Sequence, residues 1–67
     1  MFPNVRAELA RKGMTLTELA DKTGMSLQKL SGRMNGRQEF TYSEACLIKQ
    51  ALGVEIPLEV LFEKRAV

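Results

Sequence analysis

One stretch of the chain, residues 15–36, restricts the fold more than any other part. It reads TLTELADKTGMSLQKLSGRMNG and contains the start signals of two short helices. Thr15 is a suitable N-cap, and Glu18, three residues later, completes a capping box. Ser26 offers a second N-cap, and Gly24 can adopt the left-handed conformation that ends the first helix. Two capped helices joined by about three or four residues are typical of a helix-turn-helix.

Three further helices are predicted around this motif. Pro3 or Asn4 can begin the first, in which Val5 faces inward and Glu8 faces water. Thr41 and Glu44 form a second candidate capping box at the start of the fourth helix, and Gly53 can end that helix. The predicted ranges are about 3–12, 16–22, 27–34, 42–52 and 58–63. No alternating β-branched run indicates a strand. We therefore predict an all-α fold, a compact five-helix bundle in which residues 1–67 form a single domain.

Composition argues against several classes of protein. One cysteine and no histidine leave no internal disulfide and no usual zinc site, so neither a metal nor another cofactor is expected. No apolar run approaches the roughly 20 residues of a membrane helix, and no signal-peptide pattern opens the chain. No catalytic constellation or small-molecule site is evident. We expect a cytoplasmic protein that is not an enzyme and has no membrane partner.

Charge is distributed unevenly along the chain. Residues 1–38 carry seven Lys/Arg and three acids, a net +4, whereas residues 39–67 carry three and five, a net −2. No acid lies between Lys22 and Gln38, the range that contains the second helix of the motif. A basic stripe in this place is typical of a DNA-binding surface, although a solvated face could carry the same charges by chance.

The motif resembles the helix-turn-helix of the Cro/XRE family, which includes the lambda-type phage repressors. The matching residues are Leu19, Ala20, Gly24, Met25, Ser26, Leu30, Asn35 and Gly36, continued by Ala51-Leu52-Gly53-Val54 and Leu61-Phe62. The resemblance implies a lambda-repressor-like DNA-binding domain with the helix-turn-helix at helices 2 and 3. This chain departs from the family at Leu16, where many members carry a glutamine that contacts phosphate.

The resemblance also implies which residues meet DNA, because helix 3 of the family lies in the major groove. The implied base contacts are Leu27, Gln28, Lys29 and Gly32. The implied phosphate contacts are Thr15, Thr17, Ser31, Arg33, Asn35 and Arg37, with Arg33 extending along helix 3 towards the backbone. A glycine inside a helix has two readings here: close approach to DNA, or close approach to helix 2.

These observations predict a sequence-specific regulator of prophage or mobile-element type, with repression as the expected effect. Its partner would be double-stranded DNA, read as a palindrome by a weak homodimer. The apolar C-terminal residues are candidates for the dimer interface: Leu58, Val60, Leu61 and Phe62. The alternative is a protein-interaction module, antitoxin-like or an assembly protein, that keeps the fold without reading DNA.

Overall fold

The helices of the protein begin and end close to the predicted positions. The computed structural model describes residues 1–64. The helices are α1 (Pro3–Lys12), α2 (Leu16–Thr23), α3 (Leu27–Met34), α4 (Tyr42–Leu52) and α5 (Leu58–Leu61). The predicted all-α five-helix fold is thus confirmed over this part of the chain, which contains no strand. Residues 65–67 of the predicted single domain lie outside the described residues.

Local hydrogen bonds determine how the helix-turn-helix is built. The Glu18 N–H donates to Thr15 Oγ1 at 3.1 Å, and the Thr15 N–H donates to Glu18 Oε1 at 3.0 Å. Gly24 ends α2 with φ 74°, in the left-handed region where a side chain is strained. Ser26 Oγ then accepts the Lys29 N–H at 3.1 Å and begins α3. The turn therefore follows from four short-range signals in the sequence.

A small apolar core holds these helices together. α2 packs against both α3 and α4, while α1 and α5 pack on α4. The largest fully buried side chains are Val5, Leu19, Leu30, Met34, Ile48, Leu52 and Leu61. Because Leu30 and Met34 lie on one side of α3, the opposite side of that helix remains at the surface. None of the helices in residues 1–64 combines the length and hydropathy needed to cross a membrane.

Three phenylalanine rings join the two ends of the described chain to the loop before α4. Phe40 lies 5.2 Å from Phe2 and 5.1 Å from Phe62 between ring centroids, and Phe2 lies 6.0 Å from Phe62. All three pairs are edge-to-face, the arrangement that aromatic quadrupoles favour. The cluster anchors the segment that leads from α3 into α4.

Two details of α1 and α5 differ from expectation, and the start of α1 matches one of its two predicted alternatives. Glu8 was expected to face water but is 5% exposed, with its carboxylate 3.4 Å from Arg11. Of the two predicted starts of α1, Pro3 is its first residue, and Asn4 Nδ2 donates instead to the Val60 carbonyl at 2.7 Å. α5 ends at Leu61, earlier than predicted.

Candidate nucleic-acid interface

The first turn of α3 carries three adjacent exposed side chains, of which Gln28 and Lys29 lie on the side of the helix that faces away from the core. Leu27 is 44% exposed, Gln28 is exposed, and the Lys29 side chain is half-exposed. Because Ser26 caps the helix through the Lys29 N–H, these residues form its first turn. An apolar, an amide and an ammonium group therefore project together from one helix N-terminus.

Gly32 continues this side of α3 one turn later. A Cβ added at Gly32 would meet no atom within 4 Å outside its own helix. Close packing against α2 would have left neighbours within that distance, so this reading of the glycine is wrong. No contact within the described residues requires a glycine here, and the backbone of α3 is open to an approaching partner.

Arg33 does not extend along α3 towards solvent, which corrects its predicted orientation. Its side chain is 12% exposed, and its Nε donates to Glu44 Oε1 at 2.6 Å. Its Nη1 donates to Gln38 Oε1 at 3.0 Å. The guanidinium turns inward because a buried carboxylate and an amide oxygen are both within reach, and charge-assisted hydrogen bonds of this kind are strong.

Glu44 joins the start of α4 to α3. Its Oε1 also accepts the Thr41 N–H at 2.9 Å, which completes the predicted capping box, and its Oε2 lies 3.5 Å from Lys29 Nζ. Burial raises the pKa of Glu44, but hydrogen bonds from Thr41 and Arg33 and the nearby cationic charges hold its pKa below the ordinary value. Its stabilising effect is therefore present at neutral pH and is lost as the pH falls through the lowered pKa.

The start of α2 is less open to an anion than the sequence suggested. The Thr15 hydroxyl is used in the capping box, where it lies 3.2 Å from Glu18 Oε1, while Thr17 remains exposed. Hydrogen bonds from the Thr15 backbone and side chain lower the pKa of Glu18. The resulting carboxylate already lies at the positive end of the helix, where a phosphate would otherwise be favoured.

The opposite end of α3 brings together several polar groups. The Gly36 N–H donates to the Arg33 carbonyl and the Arg37 N–H to the Gly32 carbonyl, a Schellman motif that leaves the Arg37 side chain exposed. Asn35 Nδ2 donates to Ser31 Oγ at 3.5 Å. Two of the predicted phosphate contacts are therefore in direct contact with each other, and a third lies two residues further on.

Arg6 belongs to this polar group, although the sequence gave no sign of it. Its Nη2 donates to Asn35 Oδ1 at 3.4 Å. Arg6 lies on α1, 29 residues before Asn35 in the sequence. Only the packing of the helices therefore brings the two side chains together. The exposed guanidinium adds a positive charge beside the end of α3.

The four residues predicted for a dimer interface do not form one exposed surface. Leu61 is fully buried, and Phe62 is half-buried in the aromatic cluster, so neither is free to meet a second copy. Leu58 lines a groove of about 360 Å³ between α4 and α5. Val60, which is 45% exposed, is the one large apolar residue of this set at the surface.

The fold and this surface define a class of protein: a small all-α domain whose helix-turn-helix presents the first turn of its second helix to solvent. The sequence model of a helix-turn-helix family matches residues 5–58. The match covers more than half of the chain, so the chain belongs to this family, the Cro/C1-type (XRE) helix-turn-helix domains. It is a DNA-binding protein of the transcription-regulator class. No curated protein and no solved structure matches the chain.

Proposed function

We propose that the protein is a sequence-specific regulator of prophage or mobile-element type. It acts in the cytoplasm and represses transcription by occupying operator DNA. The observation that carries this proposal is the exposed first turn of α3. Glutamine can bridge adenine N6 and N7, lysine can donate to guanine O6 and N7, and leucine can pack on a thymine methyl. Leu27, Gln28 and Lys29 supply these three chemistries at adjacent positions.

We assign the phosphate contacts to both ends of the motif. Thr17 and the start of α2 would meet one strand, with the Thr15 hydroxyl limited by its role in the cap. Ser31, Asn35 and Arg37 would meet the backbone beyond α3. Such contacts place a protein on the duplex without specifying sequence. Arg33 is left out of this set because its guanidinium pairs with Glu44.

Selection of bound duplexes from a random pool tests the proposal directly. Enrichment of a defined motif supports an operator-binding regulator. No enrichment at moderate salt, with the protein shown to be folded, supports the alternative, an interaction module that kept the fold. The positive charge around α3 favours the regulator, since a docking module has no need for it.

Gly32→Ala should separate stability from DNA binding. Alanine in place of glycine inside a helix should raise the free energy of unfolding by about 0.8–1 kcal/mol, because the added methyl meets no neighbour. If the α3 backbone approaches DNA, the same methyl should weaken binding by about 1–3 kcal/mol. Urea unfolding and a DNA titration measure the two effects. A variant that is more stable and binds DNA as the wild type does would remove Gly32 from the interface.

We further propose that two subunits bind a palindrome with half-sites about 34 Å apart. One recognition helix reads only a few base pairs, which gives too little discrimination in a genome. The remaining candidates for the contact are Val60 and Leu58, which have the exposed or half-exposed apolar surface of α5. The small area predicts a dimer that forms on DNA and dissociates without it.

Val60→Asp should abolish this pairing, since a carboxylate would be buried against an apolar partner. We expect wild-type protein to fill both half-sites cooperatively and the variant to fill them independently. Sedimentation with a palindromic duplex measures the stoichiometry, and Glu59→Gln is a control at the neighbouring exposed position. Cooperative binding by Val60→Asp would exclude this surface, and one wild-type subunit per operator would exclude the dimer.

A further inference from the structure

A carboxylate lies behind the exposed first turn of α3. Glu44 reaches from the first turn of α4 and places Oε2 3.5 Å from Lys29 Nζ. The Glu44 side chain is 11% exposed and that of Lys29 is 50% exposed, so the pair is open to solvent mainly on the lysine side. Lys29 is therefore not a free cation, although it lies among the candidate base contacts.

Building on the DNA-binding function proposed above, we propose that Glu44 is a positioning residue that sets sequence discrimination by holding Lys29. A free lysine has a long flexible stem and is attracted to any phosphate. The attraction of the Glu44 carboxylate at 3.5 Å restrains the ammonium group of Lys29, whose N–H groups can still donate to a partner. Held in one place, these groups can donate to the guanine edge at one base position rather than to several phosphates of the backbone.

The negative charge of Glu44 should also increase sequence discrimination, in addition to its effect on the position of Lys29. The single Glu44 carboxylate is shared by Lys29 and Arg33, so the three groups carry a net charge of +1 rather than +2. The carboxylate also repels phosphates, which lowers the sequence-independent attraction of this end of α3 for DNA. Hydrogen bonds hold the Glu44 carboxylate in place: the Thr41 N–H and Arg33 Nε donate to its Oε1, and Arg33 Nη1 also donates to Gln38 Oε1. Specificity is a difference between two affinities, and a carboxylate that weakens the wrong complexes increases that difference.

Glu44→Gln tests this role without removing the helix cap, because glutamine is also accepted at the third position of a capping box. We expect affinity for non-operator DNA to rise roughly fivefold to tenfold near 0.1 M salt, the factor that one additional released counterion gives. The slope of log K against log salt should steepen by about 0.9 for each subunit. Operator affinity should change less, so the ratio of the two affinities should fall.

Glu55→Gln is the matched control, because it removes the same charge from an exposed position between α4 and α5. It should leave both the ratio and the slope close to their wild-type values. Glu44→Gln should have a much smaller effect on the ratio when Lys29 is already alanine, because the remaining cation, Arg33, is 12% exposed and is also held by Gln38. A folded Glu44→Gln protein with an unchanged ratio and slope, or an equal effect without Lys29, would overturn the proposal.

Lys29→Ala gives a second measurement that does not depend on the folding of a Glu44 variant. If Glu44 holds Lys29 away from phosphates, the salt slope of Lys29→Ala should equal that of the wild type, while its preference at one base position falls. A slope that is shallower by about 0.9 for each subunit would place Lys29 on a phosphate and overturn the inference. Wild-type protein without any sequence preference would instead overturn the proposed function, and this role with it.

Discussion

Raising the salt concentration fourfold, from 50 to 200 mM, should weaken operator binding by roughly a thousandfold. We assign about three neutralised phosphates to each subunit: one each for the exposed Arg6 and Arg37 near the end of α3, and one for Lys22, which is exposed in the last turn of α2. Lys29 and Arg33 are left out because their contacts with Glu44 hold both side chains away from the DNA backbone. Each phosphate contributes about 0.9 to the slope of log K against log salt. Two subunits on a palindrome therefore give a slope of about −5, which fluorescence anisotropy across a salt series can measure.

Two single substitutions make this test specific to the proposed surface. Arg37→Ala should reduce the slope by about 0.9 for each subunit and weaken operator and non-operator binding by the same factor. Lys49→Ala removes the same charge beside the groove between α4 and α5 and should change neither value. A flat titration would remove DNA as the partner, and a slope well beyond −5 would mean that Lys29 or Arg33 leaves Glu44.

The elements that sequence reasoning predicted correctly depend on interactions within a few residues. The capping boxes of α2 and α4 and the Ser26 cap of α3 each join residues three positions apart. Local signals of this kind do not depend on tertiary packing, so the helix starts could be read from the chain. The ends of α2 and α4 followed in the same way from Gly24 and Gly53, both with positive φ.

The errors concern residues whose partners are far away in sequence. Arg33 was expected at a phosphate because the periodicity of α3 gives no information about Glu44, eleven residues away. Arg6 is absent from the predicted phosphate contacts, since its contact with Asn35 depends on the packing of α1 beside the end of α3. Leu61 is a predicted surface residue because the C-terminal segment contains more apolar residues than one short helix can bury inward, and the sequence does not show which of them the core takes.

This distinction also applies within the candidate site. Exposure of Gln28 followed from the burial of Leu30 and Met34, which any amphipathic helix in this register would give. Exposure of Leu27 did not, because Leu27 stands three residues before Leu30 and seven before Met34, on the same side of the helix. The ion pair between Lys29 and Glu44 could not be predicted in this way, because the periodicity of one helix carries no information about a carboxylate on another. Sequence alone therefore identified an exposed side of α3 but not the charge that this side presents.

Gln28→Ala should bind the operator with roughly 5- to 140-fold lower affinity for each half-site, which corresponds to the loss of about 1–3 kcal/mol. The glutamine amide offers one donor and one acceptor to an adenine edge, and alanine offers neither. The fold should be unaffected, since substitutions at exposed positions usually change stability by less than about 0.5 kcal/mol. Gln50→Ala, the same change at an exposed position on α4, is the control and should bind normally.

The decisive measurement is the pattern of preference rather than the affinity alone. Competition with operators altered at one base pair at a time should show that Gln28→Ala loses discrimination at a single position in each half-site. Discrimination should persist at the remaining positions, because Leu27 and Lys29 remain in place on the same turn of α3. If Gln28→Ala keeps the full wild-type preference, the first turn of α3 does not read the DNA in the proposed register.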